Sequence, residues 1–244
     1  MSRLTGKKVL VTGGGSGIGL ATARALLAEG AEVAITGRNE KKLADAVASC
    51  GPGARVFSHA ADLTDPAQVK KLVDGVTAKL GRIVILVNNA GLNIKDRLFS
   101  ELTPESWHDL VSANLDGAFF CTHAVLPQMR ARKAGLIITV NSIAGKRANP
   151  LGGVGYIAAK FGLRGMTLGI AAEEKGNGIR LSSIYPGEVN TPILEVRPEA
   201  VSEERKQAML QPEDVAAAVV FIATLPDHVL IPELIISPAN AVFI

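Results

Sequence analysis

The sequence predicts an α/β fold: a single doubly wound domain, 1–244, built on a parallel sheet with helices on both faces. Two observations carry this. Short runs rich in Val, Ile and Leu alternate with stretches of helical periodicity from one end of the chain to the other. Runs apolar at every position suit strands buried on both faces, and their alternation with helices places a helical layer on each side. The second is a glycine-rich turn, Thr12-Gly13-Gly14-Gly15-Ser16-Gly17-Ile18-Gly19, between the first strand and the first helix. No low-complexity linker or internal repeat interrupts the series, and 244 residues can bury a continuous core.

Lys8–Thr12 is the first expected strand, followed by a helix over Gly17–Glu29 that Gly30 ends. Glu32–Thr36 is the second strand and Glu40–Ala48 the next helix. The turn Gly51-Pro52-Gly53 leads into a third strand, Arg55–His59. A helix over Asp65–Leu80 has Pro66 at its first position and Gly81 at its end, the usual polarity of these two residues. Ile83–Val87 is a fourth strand. A long helical stretch, Pro104–Arg132, has Thr103 as its expected N-cap, and Pro127 within it should end or kink it. Leu136–Val140, a helix over Val154–Ala172, and Ile179–Tyr185 follow. A helix near Pro212–Thr224 and a last run, Ile231–Ser237, complete the series.

Composition excludes several classes of function. Charged residues make up 20 % with a net charge of +3, and aromatics only 4 %, so neither a dense basic patch nor base-stacking rings point to nucleic acid. Cys50 and Cys121 are the only cysteines, too few for a disulfide framework or a metal cluster, and no metal site is expected. Idle thiols suit a reducing cytoplasm. Arg3, Lys7 and Lys8 before an apolar run resemble a signal peptide, but Gly13-Gly14-Gly15 interrupts the run and no cleavage site follows. No run reaches the ~20 apolar residues of a membrane span.

Two local arrangements carry chemistry. Glycines after a strand and opening a helix let backbone N–H groups approach a pyrophosphate, although the spacing here is Gly13, Gly17, Gly19 rather than the strict G-x-G-x-x-G. Tyr156 and Lys160, four apart, share one helix face. A tyrosine titrates near 10, and an adjacent ammonium favours the phenolate, which would make the phenol a usable general acid/base. Ser142, fourteen residues earlier, could hold a substrate oxygen against it. Taken alone, the pair fits a packed ring beside a solvated lysine better than a catalytic one.

Thr12–Gly19, Asn88-Asn89-Ala90-Gly91, Ser142, Tyr156-Ile157-Ala158-Ala159-Lys160 and Pro186-Gly187 together resemble the successive motifs of the short-chain dehydrogenase/reductase family, in order and spacing across the whole chain. The resemblance implies a Rossmann-type sheet of seven strands in the order 3-2-1-4-5-6-7. It implies hydride transfer between a nicotinamide cofactor and an alcohol/carbonyl pair. Residue by residue, it makes Tyr156 the acid/base, with Lys160 lowering its pKa and bonding the nicotinamide ribose. Ser142 would orient the substrate oxygen, and Asn114 would distort its helix to hold a proton-relay water. Gly13, Gly15, Ser16, Gly17, Ile18 and Gly19 would bind the cofactor phosphates. Asp62 and Leu63 would lie at the adenine, and Asn89, Ala90 and Gly91 near the adenosine ribose. Pro186, Gly187, Val189 and Thr191 would wrap the nicotinamide.

At the end of the second strand, where an NAD enzyme usually carries an acid, stand Gly37 and then Arg38, with Lys41 and Lys42 beyond. A missing carboxylate and an arginine suited to a 2′-phosphate favour NADP over NAD. A substrate-covering segment is expected at about 188–211, made apolar by Pro192, Ile193, Leu194, Val196 and Pro198. Glu188 would face substrate or solvent; Arg197 would meet an anionic group or, more simply, be a surface charge. Asn141 stands where many members carry a serine. The ending Ile231–Pro238 lacks the glycines of ketoacyl-carrier-protein reductases, and the apolar tail through Phe243 and Ile244 is expected to pack in a core or subunit interface. The expected protein is a cytoplasmic homodimer or homotetramer that turns over a small-molecule alcohol or carbonyl. The alternatives are a catalytically silent NAD(P)-binding sensor or interaction protein on the same fold, and an isomerase or dehydratase.

Overall fold

The computed structural model describes residues 2–241. In chain order its elements are β1 (Lys8–Thr12), α1 (Gly17–Ala28), β2 (Glu32–Gly37), α2 (Glu40–Ala48), β3 (Val56–Ala60), α3 (Pro66–Leu80) and β4 (Ile85–Asn88). The second half adds α4 (Pro104–Val111), α5 (Gly117–Arg130), β5 (Gly135–Val140), α6 (Val154–Glu174), β6 (Ile179–Pro186), α7 (Glu203–Ala208), α8 (Pro212–Ala223) and β7 (Glu233–Ile236). The strands form one parallel sheet in the order 3-2-1-4-5-6-7.

Both faces of the sheet are buried, which is why its strands carry no polar alternation. Val9 and Val11 of β1, with Val33 and Ile35 of β2, pack toward α1, α2 and α8. Leu10 and Ala34, between them in the pleat, pack with Leu86, Ile137 and Leu181 toward α3 and α5. Fully buried leucines such as Leu10, Leu72 and Leu86 contribute roughly 2 kcal/mol each to this core.

Helix starts follow the residues anticipated for them. Asp65 caps α3 by accepting from the N–H groups of Ala67 and Gln68, with Pro66 at the first position. Thr103 caps α4 in a reciprocal box with Ser106. The long helical stretch departs from the expectation at Pro127 and meets the one at Asn114, which was to distort its helix. It does break, but at Ser112–Asp116, a π-type turn, and not at Pro127, which sits inside α5 with its carbonyl still accepting from the Ala131 N–H. The cause is a side chain. The Asn114 amide donates to the Leu110 carbonyl one turn back at 2.9 Å, occupying an acceptor of the regular ladder. Smaller differences are end effects: β3 starts one residue later than Arg55, β4 two later than Ile83, and α6 runs on to Glu174. The expectation for Phe243 and Ile244 lies outside the described residues.

From β1 the chain winds outward through β2 to β3; from β4 it winds the other way through β5 and β6 to β7. Between the carboxyl ends of β1 and β4 the connections diverge and leave a crevice.

Candidate active site

A cavity of about 490 Å³ opens at the carboxyl ends of β1, β4, β5 and β6. Its β1 wall is the glycine-rich turn. Gly13 (φ +66°) and Gly17 (φ +51°) adopt left-handed backbone that other residues rarely accept. A Cβ on Gly19 would stand 2.2 Å from the Gly13 carbonyl oxygen, so the start of α1 presses directly on the turn. Ser16 stands at the N-cap of α1 with no side-chain capping bond, leaving the first N–H groups of the helix to an outside acceptor. Gly13, Ser16, Gly17 and Ile18 line the cavity. Gly15 instead packs toward Lys42 and Leu43, and Gly19 supports the turn from behind.

The β4 wall is tied to this turn by hydrogen bonds. The Thr12 hydroxyl accepts from the Asn89 and Ala90 N–H groups at 2.9 and 3.0 Å, and the Asn89 amide donates to the Thr12 carbonyl at 3.0 Å. Asn88 turns inward to the Thr122 hydroxyl at 2.9 Å. Asn89, Ala90 and Gly91 border the cavity. A Cβ on Gly91 would lie 2.6 Å from the Asn114 amide oxygen and 3.6 Å from Lys160 Nζ. Only a glycine lets these two polar groups meet the same stretch of backbone. Asn114 is buried beneath, with its amide also donating to the Leu92 carbonyl at 2.8 Å.

The β5 and β6 walls carry the hydroxyls. Ser142, just past β5, accepts from the Ala144 N–H at 3.1 Å and makes a side-chain hydrogen bond with Tyr156. Lys160, one turn along α6, is buried with its ammonium 5.4 Å from the Tyr156 ring centroid. Asn141 donates to the Lys160 carbonyl at 3.2 Å, fixing α6 against the end of β5. Pro186, Gly187, Val189 and Thr191 complete this side of the cavity.

Electrostatically the site differs from expectation on one point. Burial pushes the Tyr156 phenol above its ordinary value, and the Ser142 hydrogen bond and the positive charge of Arg97 only partly oppose it. Lys160, expected to depress the phenol, is itself brought down to about 8 by burial. A half-desolvated ring loses more solvation on ionising than these neighbours return.

Besides Gly15 and Gly19, three more expected cofactor residues lie outside the cavity. Arg38 is exposed just past β2, beside the exposed Lys41 and Lys42. Asp62 folds into a local turn, its carboxylate accepting from the Thr64 N–H and hydroxyl at 2.9 and 2.8 Å. Leu63 is buried, 3.2 Å from where a Cβ on Gly117 would stand.

On the substrate side, Glu188 and Arg197 both face the cavity and pair with each other at 2.9 Å, while Arg205 of α7 reaches the same carboxylate at 3.0 Å. Arg197 is therefore not a surface charge; its side chain is 11 % exposed, because the covering segment folds it inward. Sequence reasoning missed Arg97, a buried cavity residue. In Lys95-Asp96-Arg97 it reads as one more solvated charge, and no local signal distinguishes it.

The family model for short chain dehydrogenase matches residues 7–202. A 3-oxoacyl-[acyl-carrier-protein] reductase of Thermotoga maritima is 37 % identical over 229 residues, covering 91 % of this chain and 92 % of the relative. Among solved structures, the closed form of serine dehydrogenase complexed with NADP+ superposes with a TM-score of 0.88 at 31 % identity, covering 97 % of this chain and 96 % of that one. A metagenomic short-chain oxidoreductase in complex with NADP gives 0.82 at 32 % identity, with 98 % and 100 % covered.

Proposed function

The chain belongs to the short-chain dehydrogenase family, and on that premise we propose that Tyr156 is the general acid/base of an NADP-dependent oxidoreductase acting on an alcohol/carbonyl pair. The observation that carries the residue assignment is the convergence of Ser142, Tyr156 and Lys160 on one cavity that extends to the glycine-rich turn. The chain fits a dinucleotide: the turn offers a bare backbone cradle that side chains would fill, at an uncapped helix start.

When bound, the nicotinamide supplies or accepts hydride. Ser142 holds the substrate oxygen, and Tyr156 gives it a proton in reduction or removes one in oxidation. Lys160 supplies positive charge under the phenol and a donor for the nicotinamide ribose, while Asn114 steadies the backbone at Gly91 and serves the proton path. Gly13, Gly15, Ser16, Gly17, Ile18 and Gly19 form the phosphate cradle. Arg38 is the partner for a 2′-phosphate. Asp62 and Leu63 serve the adenine, and Asn89 to Gly91 the adenosine ribose. Pro186, Gly187, Val189 and Thr191 serve the nicotinamide. The silent-sensor alternative has no support among relatives that are themselves named reductases and oxidoreductases.

We read residues 1–244 as one domain, with 188–211 covering the substrate. No helix among the described residues is long and apolar enough to cross a membrane. The free thiols Cys50 and Cys121 support a cytoplasmic setting. Exposed Trp107, Phe119, Phe161 and Leu168 on α4 to α6 support a homodimer or homotetramer.

The test is NADPH and NADH consumption with a panel of ketones, keto acids and keto esters. Turnover should favour NADPH, and Tyr156→Phe should lower kcat/KM by about 10²–10⁴. Full activity in that variant would remove Tyr156 from the mechanism.

A further inference from the structure

Four side chains lining the cavity carry formal charge: Arg97, Lys160, Arg197 and Glu188. Lys160 has its place beneath Tyr156, and Glu188 is already shared by Arg197 and Arg205. Arg97 is left over. It is 4 % exposed, and among the described residues no carboxylate pairs with it. Its Nη1 donates to the Leu151 carbonyl at 3.0 Å and its Nη2 to the Val196 carbonyl, while Nε has no partner at all.

A guanidinium is rarely buried without an anion, because its desolvation needs compensation that two neutral carbonyls supply only in part. Here those carbonyls belong to two segments that also wall the cavity, so they fix the planar fork there and leave donors unused. A second guanidinium, Arg197, stands near enough that its charge pulls the Arg97 pKa further down, after burial itself. The Tyr156 phenol interacts electrostatically with the same guanidinium. Two arginines thus line the same cavity as the proton donor, and the one carboxylate there is taken up by Arg197 and Arg205.

We propose that Arg97 and Arg197 form an anion subsite beside Tyr156, and that the substrate is a keto acid or its hydroxy acid, held through its carboxylate. This rests on the reading of Tyr156 as the acid/base. In reduction, hydride from NADPH forms the new C–H bond at the carbonyl carbon. The C=O π pair moves to oxygen, which takes the Tyr156 proton, and NADP+ is released. The carboxylate is unchanged throughout. It supplies the counter-charge that Arg97 lacks, and bidentate Arg–carboxylate geometry sets which face of the carbonyl is presented.

The experiment uses 2-oxopentanoate, 3-oxopentanoate and 4-oxopentanoate, each beside its methyl ester, with the full chain and NADPH. At least one acid should exceed its ester in kcat/KM by about 10-fold or more. Arg97→Gln should lower that acid-to-ester ratio by about 10-fold, to near one, Arg197→Gln by less, and Arg97→Lys should keep part of it. Pentanoate, which has the carboxylate and no carbonyl, should compete with the ester in the unmodified enzyme, a result independent of how any variant folds.

Esters reduced as well as acids throughout, or equal losses for acid and ester in Arg97→Gln, would overturn the subsite while leaving the reductase reading intact. If none of the six compounds turns over, calorimetry of 4-oxopentanoate on the NADP+-loaded protein separates the two readings. Binding that weakens in Arg97→Gln or Arg197→Gln supports the subsite while the reductase reading fails, and no binding overturns the subsite.

Discussion

On the β1 side of its crevice the protein presents almost nothing but backbone, whereas on the β5 and β6 side it presents charged and hydroxylic side chains held away from water. The first side is stabilised by proximity. Gly13, Gly17 and Gly19 bring main chain against main chain, and Thr12 and Asn89 satisfy the polar groups this leaves behind. The second side is held against its own electrostatics. Burial depresses Lys160 to about 8, raises Tyr156, and leaves Arg97 without a counter-charge. A site for a bulky, invariant ligand can be a rigid cradle, but a site that moves a proton must keep ionisable groups where ionisation is difficult.

That contrast can be broken most violently at Gly19. In Gly19→Ala the new methyl would meet the Gly13 carbonyl at 2.2 Å, and neither backbone segment can give way without reshaping the turn. NADPH affinity, read by fluorescence titration, should fall more than about 100-fold, costing upward of 3 kcal/mol. Unchanged affinity would show that the cradle is softer than its packing.

Lys160→Met probes the opposite wall, and the contrast predicts that function and stability move in opposite directions. Turnover should fall at least about 100-fold. Stability of the cofactor-free protein should rise, because at neutral pH the native state must keep an ammonium charged in burial. With the folded pKa at about 8 against 10.5 for the free side chain, that penalty is complete below pH 8. It fades between the two values, where the unfolded chain binds the extra proton, and vanishes above the higher one. Urea denaturation should therefore show a gain of about 3 kcal/mol at pH 7 that is gone by about pH 10.5. A destabilised variant at neutral pH would mean that the ammonium is compensated after all.

The smallest effect is expected at β7, whose half-buried charge at Glu233 is paired with Lys146 and Arg164. Burial raises the Glu233 carboxyl, but hydrogen bonds from Arg164, Lys146 and Tyr185 outweigh it and bring the pKa down to about 2. A depressed carboxylate stabilises the fold above its ordinary value of 4.5 and loses that contribution as pH falls toward 2. Unmodified protein should lose about 2 kcal/mol across this window, discounted for partial exposure, and Glu233→Gln should lack that part of the acid slope. Parallel acid titrations by circular dichroism would check it; identical slopes would assign the acid transition elsewhere.

The contrast also explains what the sequence made legible. The strands, the glycine turn and the Tyr156–Lys160 pair are encoded locally, by apolar runs, by steric exceptions and by helical spacing, while the strand order and the roles of Ser142, Tyr156 and Lys160 came with the family resemblance. The break expected at Pro127 does not form because α5 continues through it, whereas the distortion expected at Asn114 does, at a position only the family resemblance pointed to. The tyrosine shift was anticipated with the wrong sign because spacing reveals a neighbouring charge but not the desolvation around it. Arg97 and the inward turn of Arg197 were invisible, since both depend on segments distant in the chain meeting over one cavity.

Arg97 is bonded to carbonyls 54 and 99 residues further along the chain. Such closures carry a large entropic cost and accumulate only after the partners have been brought near by other contacts. Val196 lies in the covering segment, so its bond to Arg97 pins that segment over the cavity. One arginine thus ties the Leu151 side of the pocket to its covering segment, so the shape of the cavity depends on that single side chain.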